Sequence, residues 1–275
     1  MDGCFFTCKG RLHVMKISLS NKRALIGGSS KGLGNAVAKQ LAISGASVTL
    51  MARNEDLLRA TVDELNKLTS KKHDFLVVDY NDWEKYKIKI QEYISKNPID
   101  ILVNNTQGPK AGDVESVSID DYQKSFDLLF KSVAHTTMLS LDHMKKMRWG
   151  RVINMASISV KEPLSYLALS NTIRSAVTTW SKTLATQVAT HGITVNNILT
   201  GYFDTERIKE LNEEKAKKLS LDINNIYKEM ADLIPAKRIG NPVEFGYLIT
   251  FLASKHASYI NGVNIPIDGG LLKSL

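Results

Sequence analysis

The stretch "RALIGGSSKGLGNAVAKQLAISG", residues 23–45, leads from a short apolar run through a glycine-rich turn into a helical pattern. Gly28, Gly32 and Gly34 give the turn the spacing G-x-x-x-G-x-G. Glycines permit a tight turn and a close approach of the backbone, and the amino end of a helix presents N–H groups to an anion. The stretch therefore predicts a strand, a pyrophosphate-binding turn and a helix.

Further apolar runs, separated by helical patterns, follow this stretch along the chain. They occupy residues 46–51, 75–79, 100–104, 151–155, 193–198 and 264–267. Apolar strands that alternate with helices are typical of a parallel sheet with both faces covered. Right-handed crossovers then give an α/β, Rossmann-type doubly wound sheet of about seven strands in three layers. We expect residues 19–275 to form this single domain.

The composition limits the kinds of partner. The chain has 275 residues, 43% of them hydrophobic, and a net charge of +8. Its lysines are spread over helical segments and mixed with acids, so we expect no nucleic-acid partner; a modest positive field favours anionic ligands. An uninterrupted apolar run of membrane-spanning length is absent, so we expect no membrane partner and a cytoplasmic location.

The first residues differ from the rest of the chain. Residues 1–14 have no clear helical or strand period, and Met15 begins a stretch typical of a natural start. We therefore expect a disordered extension at residues 1–18. Its cysteines, Cys4 and Cys8, form no disulfide framework and lack further metal ligands, so no metal site is predicted.

One long insertion interrupts the alternation of strands and helices. Residues 204–234 are charged and helical and fall between two strand signals. An insertion after the carboxyl end of a strand lies over the ligand crevice of a doubly wound sheet. We interpret it as a helical lid.

Four motifs follow one another in a recognisable order. They are "NNTQG" at 104–108, "RVINMAS" at 151–157, "ITVNNILTGYFDT" at 193–205 and the segment 235–270, which ends in D-G-G. Together they make the chain similar to the short-chain dehydrogenase/reductase family, of the 3-oxoacyl-carrier-protein-reductase type. The resemblance implies hydride transfer between a nicotinamide cofactor and a small carbonyl compound or secondary alcohol.

Two cations indicate which cofactor is preferred. Arg53 follows the second strand at the position where NAD-preferring members usually carry an acid, and Lys31 lies in the glycine turn. An arginine can bind a ribose 2′-phosphate through two hydrogen bonds, which a carboxylate would repel. We predict NADP(H), with NAD(H) as the alternative. The resemblance implies further cofactor contacts at Gly28, Ser30, Gly32, Leu33, Gly34, Asp79, Tyr80, Asn105, Arg174 and Thr205.

The resemblance also fixes the register of the catalytic helix. The family's tyrosine follows its serine by about thirteen residues and its lysine follows four later; counted from Ser157, these positions hold Ser170 and Arg174. Lys182, eight residues further, keeps the register without a gap. Leu129 stands where the family has an asparagine. The active site is therefore atypical.

These replacements leave three interpretations open. In the first, Ser157 and Ser170 hydrogen-bond the substrate oxygen and Arg174 stabilises charge, at a cost of roughly 10²–10⁴ in rate for the lost general acid. In the second, Tyr166 or Tyr202 supplies the proton. In the third, the fold binds the dinucleotide in a structural or regulatory role and transfers no hydride.

The resemblance finally implies a homo-oligomer, most simply a tetramer. Long helices at about 119–147 and 165–190 pack against their mates in such assemblies. Apolar positions suited to this burial are Leu139, Val177, Trp180 and Leu184.

Overall fold

The structure is a computed structural model that describes residues 15–274. A seven-stranded sheet has the order β3-β2-β1-β4-β5-β6-β7, and all pairings are parallel. The strands are β1 (Arg23–Ile26), β2 (Ser47–Ala52), β3 (Asp74–Val77), β4 (Ile101–Asn104), β5 (Gly150–Met155), β6 (Ile193–Thr200) and β7 (Asn264–Ile267). The predicted doubly wound α/β sheet is confirmed.

Helices cover both faces of the sheet, so that each face has its own apolar core. The helices are α1 (Gly32–Ile43), α2 (Glu55–Leu68), α3 (Trp83–Lys96), α4 (Ile119–Phe126), α5 (Ser132–Met147), α6 (Ala168–Val188), α7 (Glu206–Leu219), α8 (Ile223–Leu233) and α9 (Pro242–Leu252). Side chains of α1, α2 and α9 share one buried cluster, and those of α3, α5 and α6 share the other. Successive residues of β1 alternate between the two cores, as the pleat requires.

An asparagine row crosses the sheet on four neighbouring strands. Asn104, Asn154, Asn197 and Asn264 are direct partners in the strand register. Each side-chain amide donates to the next carbonyl oxygen, at 2.8, 3.0 and 2.8 Å in chain order. The row satisfies polar groups that burial would otherwise leave unpaired.

The sheet order reverses between β1 and β4, which opens a crevice at the carboxyl ends of the strands. The glycine turn follows β1 at this edge, Asn105 follows β4, and Ser157 lies two residues beyond β5. Parallel strands thus bring sequence-distant site candidates to one edge.

The predicted domain division also includes an extension at residues 1–18 and a lid at residues 204–234. Of the predicted extension only residues 15–18 are described, and Ile17 packs against the core; Cys4 and Cys8 lie outside the described residues. The predicted lid range contains α7 and α8, whose closure stays a prediction.

The long helix predicted at 119–147 contains a π-helical turn. Residues Asp127–Lys131 form this turn between α4 and α5, and Leu129 lies within it, 2% exposed. Such turns are frequent at functional sites. Val177 and Leu184, expected at an oligomer interface, are instead buried in the core of the chain itself.

Candidate active site

The glycine turn has a backbone that only glycine fits comfortably. Gly28 and Gly32 adopt φ angles of +52° and +61°. A Cβ atom at Gly34 would lie 2.3 Å from the carbonyl oxygen of Gly28. A side chain at Gly34 would therefore collide with the backbone of the turn, which packs directly against the first turn of α1.

The amino end of α1 is suited to an anion. Its N-cap residue, Lys31, makes no capping side-chain hydrogen bond, and the first turn carries no acid. The N–H groups and the positive end of the helix dipole therefore face the crevice without a built-in carboxylate. Ser30 is half-buried in the turn, and Leu33 packs against the core. This cradle fits the pyrophosphate of a dinucleotide.

Side chains from neighbouring strands hold the turn in place. Asn105 Nδ2 donates to the carbonyl oxygens of Gly27 and Gly28, both at 3.2 Å. Tyr80 is buried below the turn, and its hydroxyl oxygen would lie 2.6 Å from a Cβ atom at Gly27. Burial, followed by neighbouring Tyr86, raises the pKa of Tyr80. The Tyr80 phenol therefore supports the turn rather than facing a ligand.

Ser29 is a supporting residue that the sequence analysis missed. Its hydroxyl donates to the Ile26 carbonyl at 2.8 Å and accepts from the Met51 N–H at 3.0 Å. It thus joins the ends of β1 and β2 below the turn. Its position directly after two glycines was the only signal in the sequence.

Arg53 and Asp79 line one cavity of about 400 Å³ beside the ends of β2 and β3. Lys85, Tyr86 and Lys89 of α3 complete much of its wall. Arg53 is exposed and forms no ion pair within residues 15–274. The structure therefore brings together the two residues predicted to contact the adenosine half of the cofactor.

Lys31, in the glycine turn, contacts the predicted lid. Its ammonium is 3.4 Å from Glu210 Oε1 on α7. Thr205, the N-cap of α7, lies beside Gly32: its Cγ2 would be 3.6 Å from a Cβ there. The first turn of α7 is thus packed next to the cofactor cradle.

The atypical residues meet at the end of β5. Arg174 Nη1 donates to the Met155 carbonyl at 2.6 Å, and its Nε donates to Ser170 Oγ at 3.2 Å. Ser157, two residues beyond Met155, accepts from the Ser159 N–H at 3.1 Å. Arg174 therefore ties Ser170 to the strand end that precedes Ser157.

Arg174 remains a cation at neutral pH although it is half-buried. Desolvation lowers its pKa to about 10. It forms no ion pair with any carboxylate of residues 15–274. A narrow cavity of about 10 Å³ separates it from Leu129, Val133 and Asn154. Leu129 offers no polar atom there, so it cannot take part in a proton relay.

The two candidate phenols lie next to each other. Tyr166 precedes α6, is 52% exposed, and its carbonyl accepts from the Gly112 N–H. Burial first, and then neighbouring Tyr166, raise the pKa of Tyr202. No hydrogen bond within residues 15–274 joins either phenol to Arg174. Arg174, the cation that would make either phenol more acidic, is instead hydrogen-bonded to Ser170 and to the Met155 carbonyl.

Comparisons with known proteins agree with this geometry. Residues 28–272 match the family described as Enoyl-(Acyl carrier protein) reductase. NADPH-dependent reductase BacG of Bacillus subtilis (strain 168) is 31% identical, over 94% of this chain and 100% of its own length. The chain belongs to the short-chain dehydrogenase/reductase family. 3-Oxoacyl-[acyl-carrier-protein] reductase FabG of Aquifex aeolicus (strain VF5) is 30% identical, with 94% and 100% coverage.

A solved structure resembles this short-chain dehydrogenase/reductase over nearly the whole chain. L-sorbose reductase from Gluconobacter frateurii, complexed with NADPH and L-sorbose, has a TM-score of 0.90 and 30% identity. The match covers 95% of this chain and 100% of that structure. The predicted family and NAD(P)-dependent oxidoreductase class are confirmed. Between residues 15 and 274, no helix is long and apolar enough to span a membrane.

Proposed function

We propose that this short-chain dehydrogenase/reductase is an NADPH-dependent reductase of a small carbonyl compound. The observation that carries the proposal is that the glycine turn and the candidate catalytic residues lie at the same edge of the sheet. The glycine cradle lies after β1, and the cluster of Ser157, Ser170 and Arg174 lies at β5, two strands away in the same sheet. Bound NADPH would supply a hydride at this edge.

The cofactor preference rests on charge. The α1 terminus would hold the pyrophosphate, and Arg53 and Lys31 would bind the 2′-phosphate. Asp79, Asn105 and Thr205 would complete the contacts along the cofactor. NADPH in the sorbose reductase structure and in the name of the Bacillus relative supports NADP(H) over the alternative, NAD(H).

The chain's own residues have distinct roles in the proposal. Ser157 and Ser170 would donate hydrogen bonds to the substrate oxygen. Arg174 would stabilise negative charge there and hold the nicotinamide ribose, since a guanidinium remains protonated in proteins. Tyr166 would lie at the pocket mouth.

The test is a comparison of the two cofactors. Fluorescence titration should give tighter binding of NADPH than of NADH, and NADPH should be oxidised in the presence of carbonyl substrates. Equal affinity for both cofactors contradicts the assignment. The parent protein itself is the reference, with residues 1–14 retained.

A second candidate function follows from Ser170 and Leu129. Neither can replace the acid and relay that the family uses, so a dinucleotide-binding protein without turnover fits the same geometry. Tight NADPH binding with no turnover of any carbonyl compound would favour this structural or regulatory role.

The proposal extends to assembly and location. Ile119, Phe126 and Met138 are exposed apolar residues on α4 and α5, which suits a helix interface in a homo-tetramer. We propose a cytoplasmic location, in keeping with the composition, and closure of α7 and α8 over a bound ligand.

A further inference from the structure

The last described residues, 268–274, form a strap whose near end is fixed by a side chain. The carboxylate of Asp268 accepts from the N–H groups of Gly270 and Leu272, each at 2.9 Å. The carbonyl oxygen of the residue after Asp268 accepts from the Ala236 N–H at 3.1 Å, where the chain leaves the predicted lid. The strap therefore begins against the exit of the lid and has a defined backbone path from there.

Glu162 holds the far end of the strap. Its Oε1 accepts from the Lys273 N–H at 2.8 Å and from the Ser274 N–H at 2.7 Å. These hydrogen bonds, first that from Ser274 and then that from Lys273, hold the pKa of Glu162 below its usual value. Glu162 belongs to the loop that leads from Ser157 to α6. One carboxylate oxygen therefore ties the strap to the loop that carries a candidate catalytic residue.

The strap also packs on a third apolar cluster, which is separate from the two cores of the sheet. The buried members of this cluster are Ala156, Ile158 and Leu199. Leu271 and Leu272 of the strap are half-buried and pack against them. The strap therefore contributes apolar side chains to the carboxyl edge of the sheet, where β5 and β6 end.

The third cluster lies on the same face of the sheet as the catalytic helix, α6. Side chains alternate between the two faces of a strand, so Ala156 shares a face with Val152, and Leu199 shares a face with Val195. Val152 and Val195 belong to the core to which α6 contributes. Ala156 also directly precedes Ser157 in the chain. The apolar cluster therefore adjoins the place where the carbonyl group of a substrate would lie.

We infer that Leu271 and Leu272 form an apolar wall of the substrate pocket that limits the size of the group beside the substrate carbonyl, and that Glu162 is a positioning residue that seats this wall. The size limit rests on the proposed reductase function. The seating of the strap rests only on the hydrogen bonds and packing of the described residues.

A wall that is held at both ends can set a size limit. Asp268 fixes one end and Glu162 the other, so the leucines between them cannot move outward unless hydrogen bonds break. Hydrogen bonds from N–H groups to a carboxylate are stronger than those between neutral groups. Loss of the Glu162 carboxylate should therefore free the far end of the strap, while Asp268 keeps the near end in place.

The first experiment measures the seating of the strap without substrate or cofactor. Hydrogen–deuterium exchange of the full chain, read by mass spectrometry, follows the amides of residues 271–274. Fluorescence of 8-anilinonaphthalene-1-sulfonate follows exposure of the apolar cluster beneath them. We expect Glu162→Ala to speed amide exchange in this segment by at least about tenfold and to increase the fluorescence of the dye.

Two matched variants serve as controls for the seating. Glu162→Gln keeps a side-chain oxygen, and because Oε1 alone accepts both N–H groups, we expect exchange close to that of the parent. Glu92→Ala removes an exposed carboxylate on α3 and should also behave as the parent does. Parent-like exchange in Glu162→Ala, or equally fast exchange in Glu162→Gln, overturns the seating role. Parent-like thermal unfolding of both Glu162 variants would exclude global misfolding as the cause.

The second experiment compares the reduction of 2-butanone and 4-phenyl-2-butanone by NADPH. The parent should favour the smaller ketone in kcat/KM. Glu162→Ala should raise kcat/KM for the larger ketone relative to the smaller by at least about tenfold, chiefly through a lower KM. Leu272→Ala should do the same although its N–H can still donate to Asp268. An unchanged ratio in both variants, or the same rise in Glu162→Gln, overturns the size limit.

The inference and the proposed function fail in different ways. If the parent reduces either ketone and the ratio does not respond to Glu162→Ala or Leu272→Ala, the size limit falls and the reductase function stands. If amide exchange responds to Glu162→Ala and the parent reduces no carbonyl compound, the reductase function falls together with the size limit. Amide exchange and ketone reduction measured on the same samples therefore separate the two.

Discussion

Arg174 makes two hydrogen bonds that a lysine's single ammonium could not reproduce in the same geometry. Its fork joins the Met155 carbonyl to Ser170 Oγ. We predict that Arg174→Ala weakens NADPH binding by about tenfold and abolishes turnover, because a charge-assisted contact to the cofactor is lost. Ser170→Ala should leave NADPH binding unchanged and lower turnover by roughly tenfold or more. Fluorescence titration and initial rates measure both; parent-like NADPH binding by Arg174→Ala would refute the role.

Arg53 supports a second prediction at the residue scale. The Arg53→Asp variant removes an exposed cation and places a repelling charge beside the predicted 2′-phosphate. NADPH affinity should fall by at least about tenfold, with a much smaller change for NADH. Arg59→Asp, which alters an exposed arginine paired with Glu55 on α2, is the control. A similar loss for both cofactors would place Arg53 outside the phosphate site.

Secondary-structure elements were largely predictable, and their side-chain contacts were not. The strands stood out because each is a short apolar run between helical periods. The asparagine row was missed since Asn104, Asn154 and Asn197 look like isolated polar residues in separate apolar runs. Only the strand register aligns them. The π-helical turn at Asp127–Lys131 was not predicted, because the spacing of apolar residues there does not differ from that of an ordinary α-helix.

The asparagine row should contribute strongly to stability. Asn154 is 1% exposed, accepts from Asn104, and donates to Ser181 and Asn197. Asn154→Ala would leave several buried polar groups unpaired, so we predict a loss of about 3 kcal/mol or more in the free energy of unfolding. Asn264→Ala, at the exposed end of the row, should cost about 1 kcal/mol or less. Urea unfolding measures both, and equal costs would show that the row is not cooperative.

The contact between Lys31 and α7 yields a prediction about the lid. Glu210 holds the Lys31 ammonium in an exposed ion pair, which is worth less than about 1 kcal/mol. Glu210→Gln should release Lys31 for the 2′-phosphate and raise NADPH affinity by about two- to fivefold, with NADH affinity unchanged. Glu213→Gln, an exposed acid on the same helix, is the control. A parallel gain for NADH would point to a general charge effect instead.

Across the whole molecule, the sequence predicted that the candidate site residues lie close together, but it did not predict their hydrogen bonds. Motif spacing put Ser157, Ser170 and Arg174 in one register, and the parallel sheet brings them to one edge. Their hydrogen-bond directions depend on how α6 packs on β5, which spacing does not encode. The same holds for Ser29, whose role requires β1 and β2 to be adjacent.

The proposed homo-tetramer is a property of the whole molecule. The burial of individual side chains decides which substitutions can test it. Val177 and Leu184 are buried within one chain, so their substitution would unfold the protein rather than separate subunits. Met138 is 63% exposed on α5, and a glutamate there would place a charge in the proposed helix interface. We predict that light scattering finds a tetramer for the parent and smaller species for Met138→Glu. Ile43→Glu, on the exposed end of α1 at the opposite face of the sheet, should remain tetrameric. A parent mass of 30.6 kDa at micromolar concentration would contradict the assembly.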